Sequence, residues 1–129
     1  MSTHTPVSVR TDEAPQAIGP YSQGIAAGDT LFVSGQLPLA PDGRPVFEPI
    51  GEACTQALSN VDAVLAAAGG GWQLVQVRIY LRSMEDYPAV NAAYESRMSA
   101  PYPARAVVEV SGLPKDAPLE IEATAVRIS

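Results

Sequence analysis

The sequence has one cysteine, Cys54, and one histidine, His4. A lone cysteine cannot close an intrachain disulfide, and nothing in the sequence calls for an oxidising compartment. His4 lies where chains are commonly mobile. A His-based triad, a His/Cys zinc site and an ordinary histidine base are therefore not expected. Basic residues are scarce as well: 8 Lys+Arg stand against 14 Asp+Glu, a net charge of −6. That sign repels nucleic-acid phosphates and anionic lipid, so neither is an expected partner. No apolar run approaches the roughly 18 residues that a membrane span needs. The opening MSTHTPVSVRTDEAPQAIGP lacks the apolar core of a signal peptide, and the expectation is a cytoplasmic protein. Chemistry is left to Arg, Glu, Asp, Tyr, Ser, Asn, backbone groups and water.

What is present is 129 residues, 47% hydrophobic and 17% charged. This fits one domain over residues 1–129, with about the first twelve expected to be a mobile N-terminus. Val7–Arg10 alternates like a short edge strand, and a loop follows through Pro15 and Pro20. Gly24–Ala27 and Thr30–Ser34 flank Gly28-Asp29, the pattern of a hairpin. Prolines and glycines make Gly35–Pro49 an irregular connection. Cys54, Ala57, Leu58, Val61, Val64, Leu65 and Ala68 share one helical face, and Gly69 ends that helix. Val75–Arg82 alternates as a strand. Ser83 and Asp86 have capping-box spacing before a second helix marked by Tyr87, Val90, Tyr94 and Met98. Pro101 closes it. Ala104–Ser111 and Pro118–Ile128 are the last strands. This order predicts a mixed sheet of about six strands with both helices on one face.

The strands facing away from the helices carry charge. In the last strand Leu119, Ile121, Ala123 and Ala125 point one way, and Glu120, Glu122, Thr124 and Val126 the other. In the strand before it, Ala106, Val108 and Val110 oppose Arg105, Val107 and Glu109. The mixed faces either meet water, as antiparallel sheets often do, or pack against another subunit. In the second case Arg105 and Glu120 would line an intersubunit cleft.

Five strings stand in a telling order: Ile18-Gly-Pro-Tyr-Ser-Gln23, Val33-Ser-Gly-Gln36, Val90-Asn-Ala-Ala-Tyr94, Tyr102-Pro-Ala-Arg105 with Val108-Glu109-Val110, and Leu113-Pro-Lys-Asp116 with Glu120-Ile-Glu-Ala123. From about Glu13 to Arg127 the chain closely resembles the Rid family, the reactive intermediate deaminases, of the RidA type. The resemblance implies a chorismate-mutase-like α+β fold and a homotrimer with active sites between subunits. It implies hydrolysis of 2-imino acids and their enamine tautomers (2-aminoacrylate, 2-iminobutanoate, 2-iminopropanoate) to 2-oxo acids and ammonia. It implies no cofactor and no metal.

The resemblance makes Arg105 the carboxylate-binding residue. A guanidinium grips a carboxylate through two parallel bonds, which lysine cannot do. Without the resemblance, Arg105 reads first as one end of a cross-strand salt bridge with a glutamate. Glu120 matches the acidic residue that positions water or moves a proton; otherwise it is a solvated strand glutamate. Glu122 is a weaker second candidate on the same strand face. Tyr21 matches a tyrosine that closes the pocket, or it anchors its own loop. Ser34 and Gly35 end a strand where a ligand can approach the backbone, or Gly35 serves a turn. Asn91 falls near the apolar face of its helix, where an amide needs partners; the resemblance puts it at the edge of the site. Many relatives have cysteine at the position of Val107, so a thiol nucleophile there is excluded and only the Val107 backbone can serve. Cys54 reads as a buried, inert helix residue.

Three other functions fit parts of this pattern. A non-catalytic module binding 2-oxo or amino acids would keep Arg105. An endoribonuclease is associated with relatives, and the acidic balance weighs against it. Chorismate-type chemistry on the same fold is opposed by the GPYSQ and YPAR strings.

Overall fold

Gly28 has φ +59°, a conformation that lets the chain reverse between two short apolar runs. The expected hairpin forms there, from β2 (Gly24–Ala27) and β3 (Thr30–Gln36), with Ala27 opposite Thr30. This computed structural model describes residues 5–128, and His4 lies outside them. Residues 5–12 are not all loose, because β1 (Val7–Val9) pairs antiparallel with β2.

The first helix, α1 (Ile50–Ala67), buries Ala53, Cys54, Ala57, Leu58, Val61 and Val64 along one face. The second, α2 (Tyr87–Arg97), buries Val90 and Tyr94. The expected capping box is half realised. Ser83 accepts from the Glu85 N–H and opens a 3₁₀ turn, Met84–Asp86, that leads into α2. Asp86 makes no side-chain cap.

Three further strands complete a six-stranded sheet in the order β1-β2-β3-β6-β4-β5. β6 (Leu119–Arg127) runs antiparallel between β3 and β4 (Trp72–Leu81). β5 (Ala104–Glu109) lies parallel to β4 at the edge, joined to it through α2. The result is the mixed sheet expected from the sequence, an α+β fold with both helices on one face.

Leu31, Val33, Val77, Ile79, Leu81, Leu119, Ile121, Ala123 and Ala125 form one buried layer with the apolar faces of α1 and α2. Fully burying a leucine or isoleucine stabilises by about 1.5–3 kcal/mol, so this layer dominates stability. The opposite face of the sheet stays open, with Phe32 and Val108 exposed.

Arg105 is not on the open face with Glu120. The register pairs Arg105 with the buried Val77 and Val107 with the buried Ile79. Arg105 and Val107 therefore face the helices, and Ala106 and Val108 face the open side. At an edge strand apolar residues need not point inward, so hydrophobicity alone assigned the two faces of β5 the wrong way round.

Candidate active site

Glu120 sits on the open face of β6, directly opposite Tyr80 of β4. Beside it β3 is irregular. Val33 pairs with Ala123 but Gln36 pairs with Ile121, so Ser34 and Gly35 together face Glu122. An extra residue of this kind bends a strand and turns its backbone toward the neighbouring space. Gly35 is also where the Glu120 side chain lies. A Cβ built on Gly35 would stand 1.8 Å from Glu120 Oε2, so only glycine leaves room for this carboxylate. Ser34, Gly35, Glu120 and Glu122, with Tyr21 from the loop before β2, line a cleft of about 380 Å³.

A buried amide fixes that loop. Gln23 is 4% exposed. Its Oε1 accepts from the Thr11 N–H at 2.7 Å. Its Nε2 donates to the carbonyls of Thr11 and Pro15 at 3.1 and 2.8 Å. Tyr21 folds back onto the same loop, its hydroxyl accepting from the Ile18 N–H at 3.2 Å. Ser34 Oγ donates to the Ser22 carbonyl at 2.5 Å. Both expected roles of Tyr21 are therefore compatible: it anchors the loop, and its exposed ring borders the cleft. The Ser34 hydroxyl serves the loop.

The two carboxylates of the cleft differ in their partners. The Tyr80 hydroxyl donates to Glu122, and Arg78 Nη1 lies 3.9 Å from Glu122 Oε1. Glu120 has no hydrogen-bond or ion-pair partner among the described residues. Burial, and then the nearby Glu122 charge, push its carboxyl above the usual carboxylate range.

Arg105 stands in a second cleft, of about 290 Å³, bordered by Asn91, Tyr94, Glu95, Tyr102 and Pro103. The guanidinium carbon lies 4.8 Å from the Tyr94 ring centre and 5.8 Å from that of Tyr87. Nη2 donates to the Tyr87 hydroxyl at 3.0 Å. One edge of the fork is thus held, and no carboxylate of the described residues pairs with it. The salt-bridge reading of Arg105 does not apply. Tyr94 Oη is buried and has no hydrogen-bond partner among the described residues. Asn91 is exposed at the cleft border rather than set in the apolar face, which Val90 and Tyr94 occupy. Val110 N–H donates to the Leu81 carbonyl. Alternation along β5 then turns the Val107 N–H toward the free edge of the sheet.

The site residues thus form two groups on opposite faces of the sheet. The sequence reading missed Gln23, whose signal was a polar residue immediately before an apolar strand. It also missed Tyr80, which alternation along β4 places beside the two glutamates. No group of three or more His, Cys, Asp and Glu suited to a metal ion occurs among the described residues.

The family model described as Endoribonuclease L-PSP matches residues 11–127. The chain belongs to this family, the Rid family of the RidA type. Within it, the chain is 41% identical over 124 residues to the 2-iminobutanoate/2-iminopropanoate deaminase of Salmonella typhimurium, covering 93% of this chain and 97% of that one. The crystal structure of the YjgF gene product from Escherichia coli has a TM-score of 0.87 at 40% identity, covering 95% of this chain and 99% of that one. Escherichia coli TdcF with bound serine has a TM-score of 0.86 at 35% identity, with the same coverage. The family match over residues 11–127 includes the residues that line both clefts.

Proposed function

We propose that this Rid-family chain is a 2-iminobutanoate/2-iminopropanoate deaminase, hydrolysing 2-imino acids to 2-oxo acids and ammonia. The reading rests on the Salmonella relative of that name and on one observation. An unpaired, pre-held guanidinium and an unpaired, half-buried carboxylate are the two groups this reaction needs. A 2-imino acid always carries a carboxylate, which the free edge of Arg105 would hold. Water adds to the imine carbon, forming a C–O bond as the C=N electron pair moves to nitrogen. Glu120 takes the water proton and passes it to nitrogen. In the resulting carbinolamine Glu120 moves the hydroxyl proton to the amine, the oxygen electron pair closes the C=O bond as the C–N bond breaks, and ammonia leaves. No step requires a metal or cofactor.

The site is proposed to be shared between subunits of a homotrimer. Arg105 and Glu120 are two strands and three register positions apart, about 10 Å in each direction, with side chains on opposite faces. One small substrate cannot touch both within a chain. A second copy whose β5 edge and α2 approach the open face near Glu120 would bring Arg105, Asn91 and the outward Val107 backbone to Tyr21, Gly35 and Glu120. Exposed Phe32 and Val108 on that face suit burial by another copy. No helix of the described residues is long and apolar enough to cross a membrane, and a cytoplasmic enzyme without a nucleic-acid partner is part of the proposal.

A second reading, a module that binds amino or 2-oxo acids without turnover, is favoured by the serine held by TdcF. The experiment generates 2-aminoacrylate and 2-iminobutanoate in situ with a serine/threonine dehydratase and follows 2-oxo acid release. Wild type should accelerate release, and Arg105→Ala and Glu120→Ala should not. Binding of a 2-oxo acid without acceleration by wild type would establish the module instead.

A further inference from the structure

Two carboxylates enter the cleft from one strand face, two residues apart, and only one is free to react. Glu122 is fastened by two residues of β4. Tyr80 donates its hydroxyl to Glu122. Arg78 stands 3.9 Å from it and is itself tied by Nη2 to Gln76 Oε1 at 2.8 Å. In the ladder, Tyr80 lies opposite Glu120 and Arg78 opposite Glu122. Tyr80 thus reaches diagonally past Glu120 to hold the other carboxylate. Glu120, over Gly35, receives no such bond.

We propose that Tyr80 is a positioning residue for the reaction: its hydroxyl holds the Glu122 carboxylate in place beside Glu120, so that Glu120 alone meets the attacking water, with a fixed anion at its side. The hydrogen bond fixes where the Glu122 carboxylate stands, and a neighbouring anion disfavours ionisation of a second carboxyl. A base whose proton affinity approaches the working pH accepts a proton from water more effectively than an ordinary surface carboxylate. Glu122 shares the strand of Glu120, and Tyr80 and Arg78 come from β4. The turn Pro114–Asp116 borders the same cleft through Pro114; it carries Lys115 and Asp116, the latter paired with Arg82 at 2.6 Å. Tyr21 comes from the loop before β2. The Ser34–Gly35 bulge of β3 brings no ionisable group. A guanidinium supplied by another copy would act equally on every variant compared below. The direction in which Glu120 is displaced, upward by burial and by Glu122, agrees with this arrangement.

The inference deepens the deaminase reading and rests on it for its catalytic meaning, so the test has one arm that needs turnover and one that does not. The first arm is the pH dependence of kcat/KM for imine hydrolysis. The second is a carbon-13 NMR titration of carboxyl-labelled glutamate in the intact protein, with Glu120 assigned from the resonance lost in Glu120→Gln. Glu122→Gln keeps shape and removes charge. It should move the Glu120 titration, and the acid limb of the rate profile, to lower pH by about half a unit or more. Tyr80→Phe removes only the hydroxyl and should move both in the same direction by less. The double variant should match Glu122→Gln alone, because Tyr80 acts only through Glu122. A Glu120 titration unmoved in Glu122→Gln overturns the proposal. So does a Tyr80→Phe titration superimposable on wild type, or a Tyr80→Phe displacement that persists in the Glu122→Gln background. A wild type that titrates as expected but hydrolyses no imine removes the deaminase reading and leaves the Tyr80–Glu122–Glu120 coupling standing.

Discussion

Arg105 and Glu120 project from opposite faces of one sheet, two strands apart, with β4 between their strands. A residue that grips substrate and a residue that activates water cannot be separated in this way inside a working single-chain site. The separation turns the oligomer question into a catalytic one.

Mixing two inactive variants tests it. Arg105→Ala and Glu120→Ala should each be inactive alone. After unfolding and joint refolding at equal amounts, about a quarter of the intersubunit sites would combine the intact Arg105 of one chain with the intact Glu120 of another, given random assembly. Activity should therefore return to about a quarter of the wild-type value. A mixture as inactive as its parents, with trimers confirmed by light scattering, would put both residues' roles in a single chain and remove the composite site.

Arg105→Lys separates charge from geometry. Lysine keeps the positive charge but not the planar fork, and it cannot both bond the Tyr87 hydroxyl and offer a second parallel pair of donors. A charge-assisted hydrogen bond contributes about 1.5–3 kcal/mol, so KM should rise about 10-fold or more, with kcat less affected. An unchanged KM in steady-state imine hydrolysis would show that charge alone suffices.

The elements were legible because each carries its own period. The runs Val75–Arg82 and Pro118–Ile128 alternate, and the α1 face repeats at helical spacing. What sequence could not show is order in space. β6, last in the chain, enters between β3 and β4, and nothing local encodes that insertion. The faces of β5 were misread because alternation fixes which residues share a face but not which face is inside. At an edge strand Ala106 and Val108 can lie outside while Arg105 lies in, its guanidinium stacked on Tyr87 and Tyr94. The residue types of the candidate site were readable from the family resemblance. Their division into two clefts was not, since it depends on that inversion. Asn91 shows the same limit on a helix: spacing from Tyr87 and Tyr94 placed it near the buried stripe, and it lies just outside it.

Gly35→Ala should damage the reaction without unfolding the protein. The added methyl would sit 1.8 Å from Glu120 Oε2 and 2.7 Å from its Cδ. The flexible side chain must swing away, since β3 and β6 are fixed by the ladder. Displacing a reacting group by about 1 Å can cost about 100-fold in rate, and that is the expected loss in kcat. The melting temperature should change by only a few degrees, because the methyl points to the open cleft rather than the core. Wild-type turnover in Gly35→Ala would mean that the position of Glu120 over Gly35 is not the reactive one.

Cys54 gives a prediction about stability rather than catalysis. Its side chain is buried against α2, and Sγ lies 3.8 Å from the Val90 carbonyl. Burial raises the thiol from 9.0 to about 11, outweighing the opposite pull of Arg97 and Arg105. The folded protein therefore holds the proton more tightly than the unfolded chain does. The stability this confers is complete below pH 9 and is lost as pH rises through about 11. Denaturant midpoints should fall across that window more steeply for wild type than for Cys54→Ala. At pH 8 a thiol-specific reagent should leave the native protein unlabelled and modify it rapidly in denaturant, because the thiolate is the reactive form. Rapid labelling of the native protein, or parallel pH curves for the two proteins, would show that Cys54 is neither as buried nor as protonated as its surroundings require.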